Sequence, residues 1–290
     1  MITTTGLTKD YGTTRALDHV DLNVTPGSVY GLVGPNGAGK TTLLGVLAGL
    51  RRATDGSVEI ATTKVGVLPD TPLFDRWLTA REVVELSLNM SAGTTDPDRV
   101  AEVIAEAGIA DAADRAVGGF SRGMLQRLGV AATLVSGPEL ILLDEPCSAL
   151  DPLGRREVLD LIARLRGGAT VVFSSHILAD VQEVCDTVGI LRQGRLIFEG
   201  PLEKLLVGEA RPQYLVRLRP PLEPVMAALG AVDWIDTVAP VDPERIRVSG
   251  TSLSVLEAEL VPALAAAGAR VVSIAPDAPS LEDVFLEVVK

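Results

Sequence analysis

Nine consecutive residues, Gly34-Pro35-Asn36-Gly37-Ala38-Gly39-Lys40-Thr41-Thr42, fit the pattern G-x-x-x-x-G-K-[ST] at every fixed position. The spacing has a chemical reason. Glycines let the backbone wrap closely around a polyphosphate, where a Cβ would clash or a positive φ is needed. The amide N–H groups then point inward, and a following helix adds its positive end. Lys40 is placed for the β- and γ-phosphates, and the Thr41 hydroxyl for Mg²⁺. This implies binding of a nucleoside triphosphate.

A second group of chemistry-bearing residues lies at 139–146. Leu140-Ile141-Leu142-Leu143 is a continuous apolar run, as in a parallel strand buried on both faces. Asp144 and Glu145 follow at its carboxyl end, where open α/β sheets place their ligands. Asp144 suits a metal-organising aspartate, and Glu145 a general base that polarises the attacking water. A third run, 169–175, ends in His176. That histidine either donates to a γ-phosphate on the same rim or caps and satisfies local structure. Tyr11, just before Gly12, either stacks on a nucleobase or packs beside a turn. His19 lies on the exposed phase of its strand and has no assigned role.

The surrounding elements must hold these groups. Val29–Val33 reads as a short buried strand and 42–50 as an apolar helix, so strand, loop and helix follow in the required order. Asp18–Val24 alternates like a half-exposed strand, and 56–60 and 64–68 read as two more. From about 78 to 134 the pattern is helical. Thr79 and Glu82 form a capping-box pair, and Asp96-Pro97 opens a helix with Val100, Val103 and Ile104 on one face. Residues 201–213 read as a linker. Beyond it come strand 214–218, helix 222–229, strands near 234–239 and 245–249, helix about 254–267 and strand 269–275, with Pro262 interrupting the second helix. That βαββαβ order suits a small ferredoxin-like domain. A final helix starts at Ser280, with Leu281, Val284, Phe285 and Val288 on one face.

Composition narrows the class. The 290 residues are 47% hydrophobic and carry a formal net charge of −12. The pI is about 4.7 and the mean hydropathy +0.31. An acidic chain is a poor general nucleic-acid binder, so no nucleic-acid partner is expected. No apolar run reaches the eighteen residues of a membrane span, and the first residues lack a signal-peptide pattern. Cys147 and Cys185 suggest no disulfide framework and fit a reducing cytosol, as two buried thiols.

One further stretch carries a family resemblance. Phe120-Ser121-Arg122-Gly123-Met124, followed by Gln126-Arg127, resembles the signature motif of ATP-binding cassette (ABC) ATPases, whose usual core is Leu-Ser-Gly-Gly-Gln. Phosphate loop, signature, acidic strand end and terminal histidine occur in the family's order over about residues 1–205. The expected fold is therefore α/β: a P-loop NTPase of ABC type over 1–205, with a helical subdomain at about 78–134 and a small C-terminal α+β domain over 206–290.

The resemblance implies further roles. Tyr11 looks like the adenine-stacking aromatic, and His176 like the histidine near the γ-phosphate. Ser121 and Gly123 would contact a γ-phosphate bound by a second ATPase domain, in a homodimer or with a partner. Ser148-Ala149-Leu150-Asp151 resembles the loop joining the halves. Asp70 stands where the family usually has glutamine, and is still a candidate Mg²⁺ ligand. Arg122, Met124 and Cys147 also depart from the usual pattern.

Phe-Ser-x-Gly-Met-x-Gln-Arg and the 280–286 ending are similar to the bacterial drug- and lipid-exporter branch. That implies an ATPase subunit at the cytoplasmic membrane face, energising a separate permease with ATP and Mg²⁺. The competing expectation is a soluble ABC-type ATPase acting on ribosomes or other macromolecules.

Overall fold

The computed structural model describes residues 1–207 and 212–277, and they divide into two compact units. The first unit is Met1–Leu202, and the second begins at Glu203.

Two sheets make the first unit. Strands β1 (Ile2–Tyr11), β2 (Thr14–Val24) and β4 (Asp55–Ile60) form an antiparallel sheet in the order β2-β1-β4. The second sheet has six strands: β3 (Val29–Val33), β5 (Val65–Leu68), β6 (Leu140–Asp144), β7 (Thr170–Ser175), β8 (Thr187–Arg192) and β9 (Arg195–Pro201). Their order is β5-β6-β7-β3-β8-β9, parallel except for β9. Strands β3, β6 and β7 are buried at every position, as their unbroken runs require. The apolar faces of both sheets and helix α1 (Lys40–Leu47) share one core, in which Leu7, Leu17, Tyr30, Leu43 and Leu142 are all fully buried.

Register decides where the chemistry sits. Val33 pairs with Ser175, Asp144 with Ser174, and Leu68 with Leu143. The carboxyl ends of four parallel strands therefore reach one rim. The P-loop, Asp70, Glu145 and His176 all leave from it.

A helical subdomain is inserted between β5 and β6. Helix α2 (Ala80–Ala92) starts with a complete capping box, Thr79 and Glu82 each accepting from the other's backbone N–H. Helix α3 (Pro97–Glu106) is capped by Asp96, with Pro97 in its first turn, where no N–H is missed. Helix α4 (Arg122–Leu134) is capped by Ser121. Val84, Val100, Ile104 and Leu128 are fully or almost fully buried in the core of these helices. Helix α5 (Pro152–Arg164), capped by Asp151, and α6 (Leu178–Val184) complete the unit.

Helix α7 (Leu202–Val207) occupies part of the stretch read from sequence as a linker. Leu202 and Leu205, three residues apart on one helical face, are both buried, which favours a helical turn over an open tether.

The second unit contains β10 (Gln213–Leu218), α8 (Glu223–Leu229), β11 (Ile235–Asp242), β12 (Arg245–Gly250), α9 (Leu253–Ala266) and β13 (Val271–Pro276). Its antiparallel sheet has the order β11-β12-β10-β13. Pro262 does not interrupt α9, contrary to the sequence expectation. Leu256, Leu260 and Leu264 recur every four residues and are buried with Val216, Ile246 and Val248. That packing outweighs a proline penalty of about 3 kcal/mol. The helix expected from Ser280 lies outside the described residues.

Candidate nucleotide site

Between β3 and α1 the chain makes a tight loop. Gly37 and Gly39 have φ of 80° and 110°, in the region open to glycine. Close approach also excludes side chains. A Cβ on Gly34 would lie 2.2 Å from the Leu191 carbonyl oxygen, and one on Gly39 2.6 Å from that of Ala16. Lys40 is buried at the start of α1, where its Nζ donates to the Gly34 carbonyl at 2.8 Å. The ammonium is thus held against its own loop, facing a depression of ≈ 350 Å³ lined by Asn36 to Thr42.

Glu145 stands on the same depression. Its backbone adopts φ 50°, a left-handed conformation uncommon outside glycine. Oε1 of Glu145 lies 3.4 Å from Lys40 Nζ, and Oε2 lies 2.8 Å from Nδ1 of His176. The turn is fixed from beneath. The Ser174 hydroxyl donates to Asp144 Oδ1 at 2.6 Å and accepts the Glu145 N–H at 2.9 Å. Gln126 of α4, almost wholly buried, donates from Nε2 to the Glu145 carbonyl at 3.5 Å. Asp70 is on the same wall, where its Oδ1 accepts from Ser148 Oγ at 3.5 Å.

A family model described as ABC transporter matches residues 17–148. The daunorubicin resistance ATP-binding protein DrrA3 of Streptomyces coeruleorubidus is 34% identical over 305 aligned positions, covering 99% of this chain and 95% of that protein. The bacitracin transport ATP-binding protein BcrA of Bacillus licheniformis is 38% identical over 218, covering 71% of each. Among solved structures, the ATP-binding cassette MJ0796, a dimer bound to ADP and Pi, matches with a TM-score of 0.66 and 27% identity, over 70% of this chain and 99% of that one.

This chain belongs to the ATP-binding proteins of ABC transporters. The cassette is an ATPase, and its nucleotide is ATP.

The ABC ATPase gathers most of the residues singled out from its sequence, though not all in one place. Lys40, Thr41, Thr42, Asp70, Glu145 and His176 share the P-loop depression, and Ala16, Arg122 and Ser148 join them there. Asp144 lies beneath, buried, and linked to the rim through Ser174. Gly34 and Pro35 form the base of the loop, their carbonyls facing Lys40 Nζ. Ser121 and Gly123 line a separate depression of ≈ 670 Å³ with Arg127, Leu150 and Asp151. There Ser121 Oγ accepts the Met124 N–H at 3.2 Å. Tyr11, at the end of β1, is 45% exposed, and its hydroxyl accepts from Arg51 Nη1 at 2.7 Å. Lys9 Nζ lies 4.9 Å from the centre of its ring.

Ser174 had no chemical signal in the sequence, and Gln126 had only its place after the signature-like stretch, with no sign of its contact with Glu145. Neither contact is legible until the partner 29 or 19 residues away is known.

Behind the site, Cys147 is buried. Burial and the nearby Asp180 carboxylate push its thiol up to about 12. Asp180 is itself buried and paired through Oδ1 with Arg155. Its Oδ2 is the one buried side-chain polar atom without a hydrogen-bond partner among the described residues. Desolvation raises its pKa despite the arginine.

Proposed function

We propose that this ABC ATPase binds MgATP at the P-loop depression and uses its hydrolysis to drive export through a separate membrane permease. The observation that carries the reading is the meeting of Lys40, Glu145 and His176 on one wall. Lys40 neutralises the β- and γ-phosphates. Glu145 takes the proton of the attacking water, and His176 holds Glu145 through Nδ1. Asn36 to Thr42 wrap the phosphates with backbone N–H groups, and Gly34 and Pro35 set the loop's base.

The donor set fits Mg²⁺. Among the described residues no group of three or more His, Cys, Asp or Glu forms a protein cage. Magnesium characteristically takes one or two carboxylates together with phosphate oxygens and water. Thr41, Asp144 and Asp70 supply such a partial shell. When bound, the ion neutralises charge developing on the phosphate.

Tyr11 offers a half-exposed ring to the adenine. Ser121 and Gly123 stand apart from their own P-loop depression, which suits contact with the nucleotide of a second ATPase domain, most simply another copy of this chain. ATP then favours the closed pair because its γ-phosphate is gripped from both sides.

The helical subdomain and the loop after β5 form the permease-facing surface. Leu73 and Trp77 are 87% and 74% exposed there. Among the described residues no helix is long and apolar enough to cross a membrane. Placement at the cytoplasmic membrane face therefore rests on the permease. The named transport relatives favour export of a drug-like compound. The acidic composition favours no nucleic-acid role. We divide the chain at about 205/206 and read the C-terminal domain as a ferredoxin-like appendage to the cassette.

The test is purification of tagged chain from membranes in mild detergent. A polytopic membrane protein retained in stoichiometric amount supports the reading. Ribosomes or soluble proteins alone would replace it with that of a soluble ABC-type ATPase.

A further inference from the structure

The contact between Glu145 and His176 joins two loops, and the helices that follow those loops meet again behind it. After Glu145 the chain is held turn by turn. The Ser148 N–H donates to the Glu145 carbonyl at 3.1 Å, and the Leu150 N–H to that of Cys147 at 3.2 Å. Asp151 then caps α5, whose fourth residue is Arg155. After His176 the chain is held likewise. The Ser175 hydroxyl accepts the Ile177 N–H at 2.9 Å, and the Asp180 N–H donates to the Ile177 carbonyl at 3.2 Å. Asp180 is the third residue of α6. Arg155 Nε donates to Asp180 Oδ1. Glu145–His176 at the rim and Arg155–Asp180 behind it therefore close a ring through both loops.

The inner pair is poorly built for stability alone. Asp180 is 1% exposed, yet its Oδ2 lacks a hydrogen-bond partner among the described residues. A buried ion pair offsets its desolvation only when the remaining lone pairs are satisfied, and apolar residues of similar volume often stabilise as well. What such a pair adds is direction. Nε must face Oδ1, which fixes α5 against α6. The buried Cys147 thiol feels both the Asp180 carboxylate and the Arg155 guanidinium, so the pair lies close to the loop that carries Glu145.

We propose that Arg155 and Asp180 are positioning residues for ATP hydrolysis, their ion pair holding the His176 loop in register with the Glu145 loop. The proposal rests on the nucleotide-site reading given above.

Steady-state phosphate release by the full chain, beside equilibrium binding of a non-hydrolysable ATP analogue (adenylyl imidodiphosphate) with Mg²⁺ and denaturant unfolding, tests it. D180N keeps the shape and removes the charge. It is expected to lower kcat roughly tenfold to a hundredfold, the cost of a small misplacement of reacting groups, and to leave analogue affinity unchanged. R155K keeps the charge without the guanidinium geometry and should show the same split. The apolar pair R155M/D180L should be as stable as the parent or more so, yet stay slow.

Parent kcat in either folded single variant overturns the proposal. So does an apolar pair with parent stability and parent kcat together, which marks a purely structural contact. So does a loss of kcat matched by an equal loss of affinity. Should D180N fail to fold, R155K carries the same decision. E145Q and H176A separate the two levels: if they also turn over at the parent rate, the site reading itself has failed.

Discussion

Nδ1 of His176 lies 2.8 Å from Oε2 of Glu145, although the two residues are 31 apart in the chain. This contact orients the imidazole ring against the carboxylate. The other oxygen of the same carboxylate faces Lys40 at 3.4 Å. Glu145 thus holds both the histidine and the P-loop lysine, on a backbone with φ 50°.

From this arrangement, E145Q should keep ATP binding and lower hydrolysis by roughly 10²–10⁴-fold, the range of a lost general base. H176A should also slow hydrolysis, with nucleotide affinity little changed. Phosphate release measured beside nucleotide binding checks both. Turnover of E145Q at the parent rate would remove Glu145 from the role of base.

Lys40→Ala acts at an earlier step. The ammonium is 7% exposed and oriented by Gly34. Its loss should weaken ATP binding by at least about tenfold, as for a charge-assisted phosphate contact. Equilibrium titration decides the matter, and undiminished affinity would show that the phosphates lie elsewhere.

Ser174 joins two catalytic candidates without facing the nucleotide. S174A leaves a buried Asp144 oxygen and the Glu145 N–H without their partner. We expect a destabilisation of about 1–3 kcal/mol, read from denaturant unfolding, and a fall in kcat because the Glu145 turn loosens. A variant with unchanged stability and kcat would show that the turn is held by other contacts.

The two thiols predict a response to alkali. Burial pushes Cys147 up to about 12 and Cys185 well above its ordinary value. The folded chain therefore holds these protons more tightly than the unfolded chain does. Their contribution to stability is complete below the unfolded thiol pKa of about 8.5 and is lost as pH rises through it toward the folded value. Native protein should resist alkylation at pH 8, whereas denatured protein should react at both cysteines. Unfolding curves from pH 8 upward should show stability falling, and less so in C147A. Rapid labelling of the native chain at pH 8 would contradict this account.

Much of the fold was legible because its signals are local. The Thr79–Glu82 box and the Asp96 cap close within three residues, so their residue types suffice to mark helix starts. The buried strands announce themselves as unbroken apolar runs. The P-loop is read from its spacing because one short segment supplies glycines, lysine and threonine together. Pro262 misled for the opposite reason. Its local penalty is real, but the leucine face of α9 packs against Val216, Ile246 and Val248 of two other strands.

The chain's own order of residues therefore determined the chemical types at hand: a phosphate loop, a pair of carboxylates ending one strand and a histidine ending another. Tertiary structure decided which of them meet. Parallel pairing in one register, Asp144 beside Ser174 and Val33 beside Ser175, brings distant strand ends to a single rim. It also decided that Ser174 bridges Asp144 and Glu145. A hydrogen bond or charge contact forms only where partners come within a few ångströms. For groups this far apart in the chain, that distance is set by sheet register and helix packing.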